Sequence, residues 1–141
     1  MPSNPKYKFK VPLQEADHAG VMFFGHLFSH AHDAYAWLME SLGFPLHKII
    51  EAGEYHIPLT HAEADYLAPM RHGQLVQVTI DIERLGNSSF TLKYEFRSDD
   101  GLCARASTRH VVIDPGTGNP VTIPDSLRPK LAARPCEFNK D

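Results

Sequence analysis

The segment best equipped for chemistry is Asp17-His18-Ala19-Gly20-Val21-Met22-Phe23-Phe24-Gly25-His26. It places a carboxylate in a polar loop just ahead of a long run with helical spacing. Unpaired N–H groups at a helix N-terminus can stabilise negative charge developing on an oxygen. The apolar stretch from Val21 to Phe24 can exclude water and lower the local dielectric. A carboxylate so placed can attack a carbonyl carbon or activate a water as general base. The same residue type in a loop also caps turns and helices, so residue type alone leaves both roles open for Asp17.

Other groups compete for attention. His26, His30 and His32 lie close together with Asp33 beside them. His26 and His30 are four apart, the geometry of a two-histidine metal site. No Glu stands in the general-base place and no third ligand stands out, so no metal is expected and these histidines are expected to be solvated or at an interface. His30 and Asp33, three apart, suit a surface pair. Glu63 and Asp65 share one strand face, either as paired carboxylates or as a hydrated face. His61 on the same strand is either half-buried or a pocket contact. Cys103 adjoins a strand and is expected in the core, with no histidine partner to activate it.

These residues need a scaffold. Tyr7 to Val11 alternates apolar and basic residues, as a half-buried strand does, and Pro12 ends it. From about Phe24 to Leu42 the period turns helical, with Phe28, Ala31, Tyr35, Leu38 and Leu42 in one apolar stripe. Gly43 and Pro45 are natural stops. A shorter helix is expected from Pro45 to Ala52, closed by Gly53. Strands follow over Ile57–Leu67, Leu75–Leu85, Phe90–Phe96 and Leu102–Ile113, with Val76, Val78, Ile80 and Ile82 on one face and an Asp-Gly hairpin signal at Ser98–Gly101. Pro124 to Ala133 is expected as a short helix in a tail (about 124–141) outside the core. The order is strand, long helix, then antiparallel strands: an α+β domain spanning 1–141, with a sheet able to curl around one helix. Free sheet edges invite pairing with a second copy, so at least a homodimer is expected.

Composition narrows the classes. The chain is 43% hydrophobic, enough for a core without disulfides or a structural metal. Its net charge is −3 from 14 basic and 17 acidic residues, with no dense Lys/Arg block, so a nucleic-acid partner is not expected. Cys103 and Cys136 form no CxxC pair. The polar start, Met1-Pro-Ser-Asn-Pro-Lys, lacks a signal-peptide core, and no run approaches the ~18 apolar residues of a membrane span. A cytoplasmic protein is expected, with reduced thiols and no membrane partner.

The run ADHAGVMFFGHLFSHAHDAYAWLMESLGF resembles the opening of the 4-hydroxybenzoyl-CoA thioesterase family: Asp17, Gly20, Phe23, Phe24, Tyr35, Trp37 and Gly43 match its pattern in order. Asp65-Tyr66-Leu67-Ala68-Pro69-Met70, then Gly73, resembles the acidic-aromatic-x-Ala-Pro segment, and Ala104-Arg105-Ala106 the last sheet strand. The likeness covers roughly residues 7 to 115. Pro58-Leu59, His61, Asp65 and Thr108-Arg109-His110 are similar to the 1,4-dihydroxy-2-naphthoyl-CoA hydrolase branch. The resemblance implies a hotdog fold, a curled antiparallel sheet of about five strands around one long helix. It also implies dimers that pair into tetramers, and active sites at the dimer interface. The implied reaction is hydrolysis of an acyl-CoA, an aromatic acyl group being favoured, to acid and CoA. No metal or redox cofactor is implied; CoA arrives with the substrate.

By that resemblance Asp17 takes the catalytic carboxylate position, as nucleophile or general base. The Phe24 backbone N–H takes the place of the amide that polarises the thioester carbonyl, and Gly20 allows close approach of backbone to ligand. Phe23, Tyr35, Tyr66, His61 and Asp65 are candidates to line the pocket. His18 stands where the family favours Pro, Ala or a small residue; it is an accessory base or simply exposed. Arg71, Arg84, Lys93, Arg105 and Arg109 are candidate contacts for CoA phosphates, though surface solubility explains each equally well. Two other readings stay open. One is a dehydratase, which needs His18 or His61 beside an acid. The other is a non-catalytic acyl-binding module.

Overall fold

A computed structural model describes residues 6–133; Cys136 lies outside them. In chain order it contains β1 (Lys6–Lys10), a 3-10 turn (Leu13–Glu15), α1 (His26–Ser41), α2 (Leu46–Ala52), β2 (Leu59–Tyr66), β3 (Leu75–Leu85), β4 (Ser89–Ser98), β5 (Gly101–Val111) and α3 (Arg128–Ala132).

The helical period delivers α1 as expected, with a shift in its stripe. Leu27, Ala31, Ala34, Tyr35 and Leu38 are buried. Phe28 and Leu42 are only half-buried. One residue is a 100° turn on a helix, so a stripe centred on Leu27 leaves Phe28 at its flank. The stop at Gly43 is a Schellman motif: Phe44 N–H reaches Met39 C=O at 2.8 Å and Gly43 N–H reaches Glu40 C=O at 3.0 Å. Gly43 has φ +90°, the left-handed conformation this motif requires.

The five strands form one antiparallel sheet in the order β1-β3-β4-β5-β2. Period-two alternation sends Val76, Val78, Ile80 and Ile82 of β3 and Phe90, Leu92, Tyr94 and Phe96 of β4 to one face, where they pack with α1. Thr108 and His110 of β5 join them, both buried. Tyr94 Oη and Thr108 Oγ1 lie 2.7 Å apart, and Thr108 Oγ1 and His110 Nε2 2.9 Å apart. The His110 ring lies against Tyr35 at 4.2 Å and against Phe90 at 5.1 Å.

Two expectations are corrected. β2 is shorter than Ile57–Leu67 and only Ala64 within it is even half-buried. It is the last strand of the sheet, so it has a neighbour on one side only. Of the tail expected outside the core, residues 124–133 are described, and there Leu127 and Leu131 are 0% exposed and belong to the same hydrophobic cluster as α1, together with Ile123 just before them. Arg128 Nη2 donates to the Gly86 and Asn87 carbonyls at 2.9 and 2.8 Å, fastening this segment to the β3–β4 turn. Among the described residues, no helix is long and apolar enough to cross a membrane.

Candidate functional site

Residues 15 to 23 fold back on themselves as a miniature hairpin. Asp17 N–H donates to Val21 C=O at 2.8 Å, and Phe23 N–H to Glu15 C=O at 2.8 Å. Ala16 bridges Met22. At the tip, Gly20 N–H donates to Asp17 C=O at 2.9 Å. The hairpin is docked on the chain leaving β2: Met22 N–H reaches Met70 C=O at 2.8 Å and His72 N–H reaches Gly20 C=O at 2.9 Å.

Asp17 is thus a turn cap as well as a candidate reactant. Its Oδ1 accepts Ala19 N–H at 2.8 Å and Val21 N–H at 3.1 Å. The bonds from Val21 and then Ala19 hold this carboxyl below the usual carboxylate range, with a smaller contribution from His18. The side chain is exposed and ionised at neutral pH. Oδ2 has no partner among the described residues. His18 is exposed too.

Gly20 adopts φ +80°, and a Cβ built there meets nothing within 4 Å. The glycine therefore serves backbone conformation at the tip. Gly20→Ala is expected to lower stability by about 1–2 kcal/mol, the cost of a left-handed alanine. Urea unfolding measures it; a loss under ~0.3 kcal/mol would mean the turn relaxes to another form.

The hairpin leads straight into α1. Phe23 N–H is used by Glu15, whereas Phe24 and Gly25 N–H find no acceptor among the described residues. Gly25, the N-cap residue, brings no side-chain cap. These donors and the positive end of the helix dipole are suited to a carbonyl oxygen gaining charge. Aromatic surface surrounds them. Phe23 and Phe24 are 51% and 62% exposed, with ring centroids 4.6 Å apart. Tyr66, from the end of β2, meets Phe24 edge-on at 6.4 Å and donates its O–H to Phe24 C=O at 2.6 Å. Partial burial pushes the Tyr66 phenol up, so it stays a donor.

The remaining candidates scatter. Tyr35 is 2% exposed, its hydroxyl buried with no partner among the described residues. It borders a separate apolar cavity of ≈ 350 Å³ with Leu46, Ile49, Tyr55 and Ile57, not the Phe23–Phe24–Tyr66 surface. Its place in the α1 stripe made it core. His61 and Asp65 also stand apart. On β2, odd residues point away from the core: Ala64 and Tyr66 face Ala106 and Ala104, whereas His61 and Asp65 face Arg109 and Arg105. His61 Nε2 pairs with Glu63 Oε1 at 2.7 Å. That outer face carries a groove of ≈ 1000 Å³ lined by His61, Asp65, Arg84, Lys93, Arg105 and Arg109. Four of the five basic candidates thus gather there. Arg71 alone stands by the hairpin, bridged to Val21.

His30 corrects another expectation. It is buried, not solvated, and does not pair with Asp33: its Nε2 lies 2.6 Å from Glu15 Oε1. Glu15 itself was missed, since nothing in the sequence links it to a residue one turn into another element. Among the described residues, no three His, Cys, Asp or Glu side chains gather as a metal site. Cys103 is buried, as expected.

Comparison with known proteins gives this geometry a context. The model of the thioesterase-like superfamily matches residues 11–131. A 1,4-dihydroxy-2-naphthoyl-CoA hydrolase of Thermosynechococcus vestitus is 33% identical over 132 residues, covering 93% of this chain and 90% of that protein. One from Microcystis aeruginosa is 30% identical over 122 residues, covering 86% and 88%. The crystal structure of a 1,4-dihydroxy-2-naphthoyl-CoA thioesterase from Synechocystis superposes with a TM-score of 0.85 at 29% identity, over 91% of this chain and 95% of that one. The curled five-stranded sheet with its central helix is accordingly the hotdog-type thioesterase fold.

Proposed function

The chain belongs to the thioesterase-like superfamily, and from that premise we propose that this thioester hydrolase cleaves an aromatic acyl-CoA to the free acid and CoA, with Asp17 as the reacting carboxylate. One observation carries the reading. An ionised carboxylate at a hairpin tip and two unused N–H groups at the start of α1 are joined by one short stretch of backbone, beside exposed aromatic rings. The names of the relatives at 33% and 30% identity support the aryl acyl group.

The chemistry follows from the parts. Phe23, Phe24 and Tyr66 offer flat apolar surface to an aryl group. The thioester carbonyl accepts from Phe24 N–H. Asp17 Oδ2 attacks the carbonyl carbon, CoA leaves as thiolate, and water opens the mixed anhydride to release the acid and restore the carboxylate. The alternative is an Asp17-directed water. Single turnover in oxygen-18 water tests the anhydride: label in the Asp17 carboxylate establishes it, because a water directed onto the thioester leaves label in the released acid alone. Arg71, beside the hairpin, is the basic residue placed to meet a CoA phosphate. The last strand β2 and exposed Leu59 and Leu67 support pairing with a second copy. A dehydratase would need an imidazole engaged with an acid at this surface; the His61–Glu63 pair lies on the other face of the sheet, and exposed His18, though next to Asp17, makes no hydrogen bond to it among the described residues.

A thiol-release panel tests substrate class. kcat/KM for 1,4-dihydroxy-2-naphthoyl-CoA or hydroxybenzoyl-CoA is expected to exceed that for aliphatic acyl-CoAs by about tenfold or more, the worth of one to two kcal/mol of ring contact. Equal rates would overturn the aromatic assignment, and binding without any turnover would make this an acyl-binding module.

A further inference from the structure

The buried contact between Glu15 and His30 has no place in the chemistry above, yet it sits at the foot of the hairpin that carries Asp17. Nε2 and Oε1 are 2.6 Å apart, with the His30 and Glu15 side chains 9% and 16% exposed. A carboxylate only accepts, so Nε2 bears the proton and donates. The imidazole lies flat on Phe9 of β1, centroids 3.6 Å apart and planes 6° from parallel. Its orientation is therefore fixed from two sides. Glu15 is held at its main chain as well, where its carbonyl accepts Phe23 N–H at 2.8 Å.

We infer that Glu15 and His30 form a positioning pair that fixes the foot of the Asp17 hairpin against α1 and so sets where the carboxylate stands relative to the Phe24 N–H. The inference rests on the reading of Asp17 given above. The hairpin is short and its tip exposed, so rocking about its foot moves Asp17 most. Phe24 is tied separately through Tyr66 and stays in place. A displacement of ~1 Å at a reacting centre costs on the order of 10²-fold in rate. Aryl and CoA contacts survive such rocking, so the pair acts on kcat rather than KM. A pair serving stability alone would change the folded fraction and leave kcat per folded molecule alone.

Two conservative variants of the full chain separate these cases, with 1,4-dihydroxy-2-naphthoyl-CoA as probe. Glu15→Asp keeps the charge but is one methylene short of His30; Glu15→Gln keeps the reach and an oxygen to accept from Nε2. The expected result is a kcat about tenfold or more lower in Glu15→Asp, with KM within about twofold and Glu15→Gln within about threefold of the parent. Parent-like kcat in Glu15→Asp, or equal impairment in both, overturns the inference if Asp17→Asn is inactive. Retained activity in Asp17→Asn overturns the reading of Asp17, and the pair falls with it.

Discussion

Asp17→Asn is expected to lower kcat by about 10³-fold or more while leaving the fold and thioester binding intact, because it removes the reacting group and little else. The asparagine Oδ1 can still accept from Ala19 and Val21 N–H, the two bonds that shape the tip. The negative charge, and with it the Oδ2 nucleophile, disappears. Asp17→Ala should be equally inactive but less stable by about 1 kcal/mol, since the turn also loses its acceptor. Binding measured on the Asn variant should stay within about threefold of the parent, because ring contacts and N–H donors are untouched. Turnover in Asp17→Asn within tenfold of the parent would remove Asp17 from the reaction.

The second large effect concerns stability in acid. Burial, with a smaller contribution from His32, holds His110 far below its ordinary 6.5, at about 3. Above pH 6.5 the ring is neutral both folded and unfolded, so it adds no pH dependence. As pH falls from 6.5 towards 3, the unfolded chain binds a proton there and the folded chain does not, so stability is lost across that window. The slope attributable to this one group is about 1.4 kcal/mol per pH unit at most. Urea unfolding of the parent and of His110→Phe, a ring that still fits against Tyr35 and Phe90, measures it by difference. The variant is expected to lose the steeper part of the acid dependence; identical slopes would mean that His110 charges inside the fold.

Local chemistry was legible in the sequence, and distant pairing was not. The Leu42-Gly43-Phe44 stop and the alternation from Val76 to Ile82 are decided within a few residues, and the structure realises both. The Asp17–Gly20 turn is local in the same way. Tyr66 meets Phe24 and His30 meets Glu15 across 42 and 15 residues of chain, and no periodicity announces such meetings. Helical spacing brought Tyr35 to the right stripe but cannot tell a core position from a pocket wall. For β2, alternation implied one buried face; a terminal strand has no neighbour to bury it. The tail was misjudged because one short helix carries too little pattern to show that Leu127 and Leu131 fill the core. The superfamily match, which runs to residue 131, includes them.

The place of those two leucines also bears on how the chain becomes a protein. α1 precedes β3, β4 and β5, whose inner faces share its core, and β1, which packs on α1 through Phe9, must itself wait for β3, where Lys10 meets Leu75. Ile123, Leu127 and Leu131 join the same core, with α3 packed on β3. A growing chain therefore carries Leu27, Leu38 and their neighbours uncovered until β3 and β4 have followed. Folding element by element in chain order is denied to it, because α1 is buried chiefly by strands that follow it.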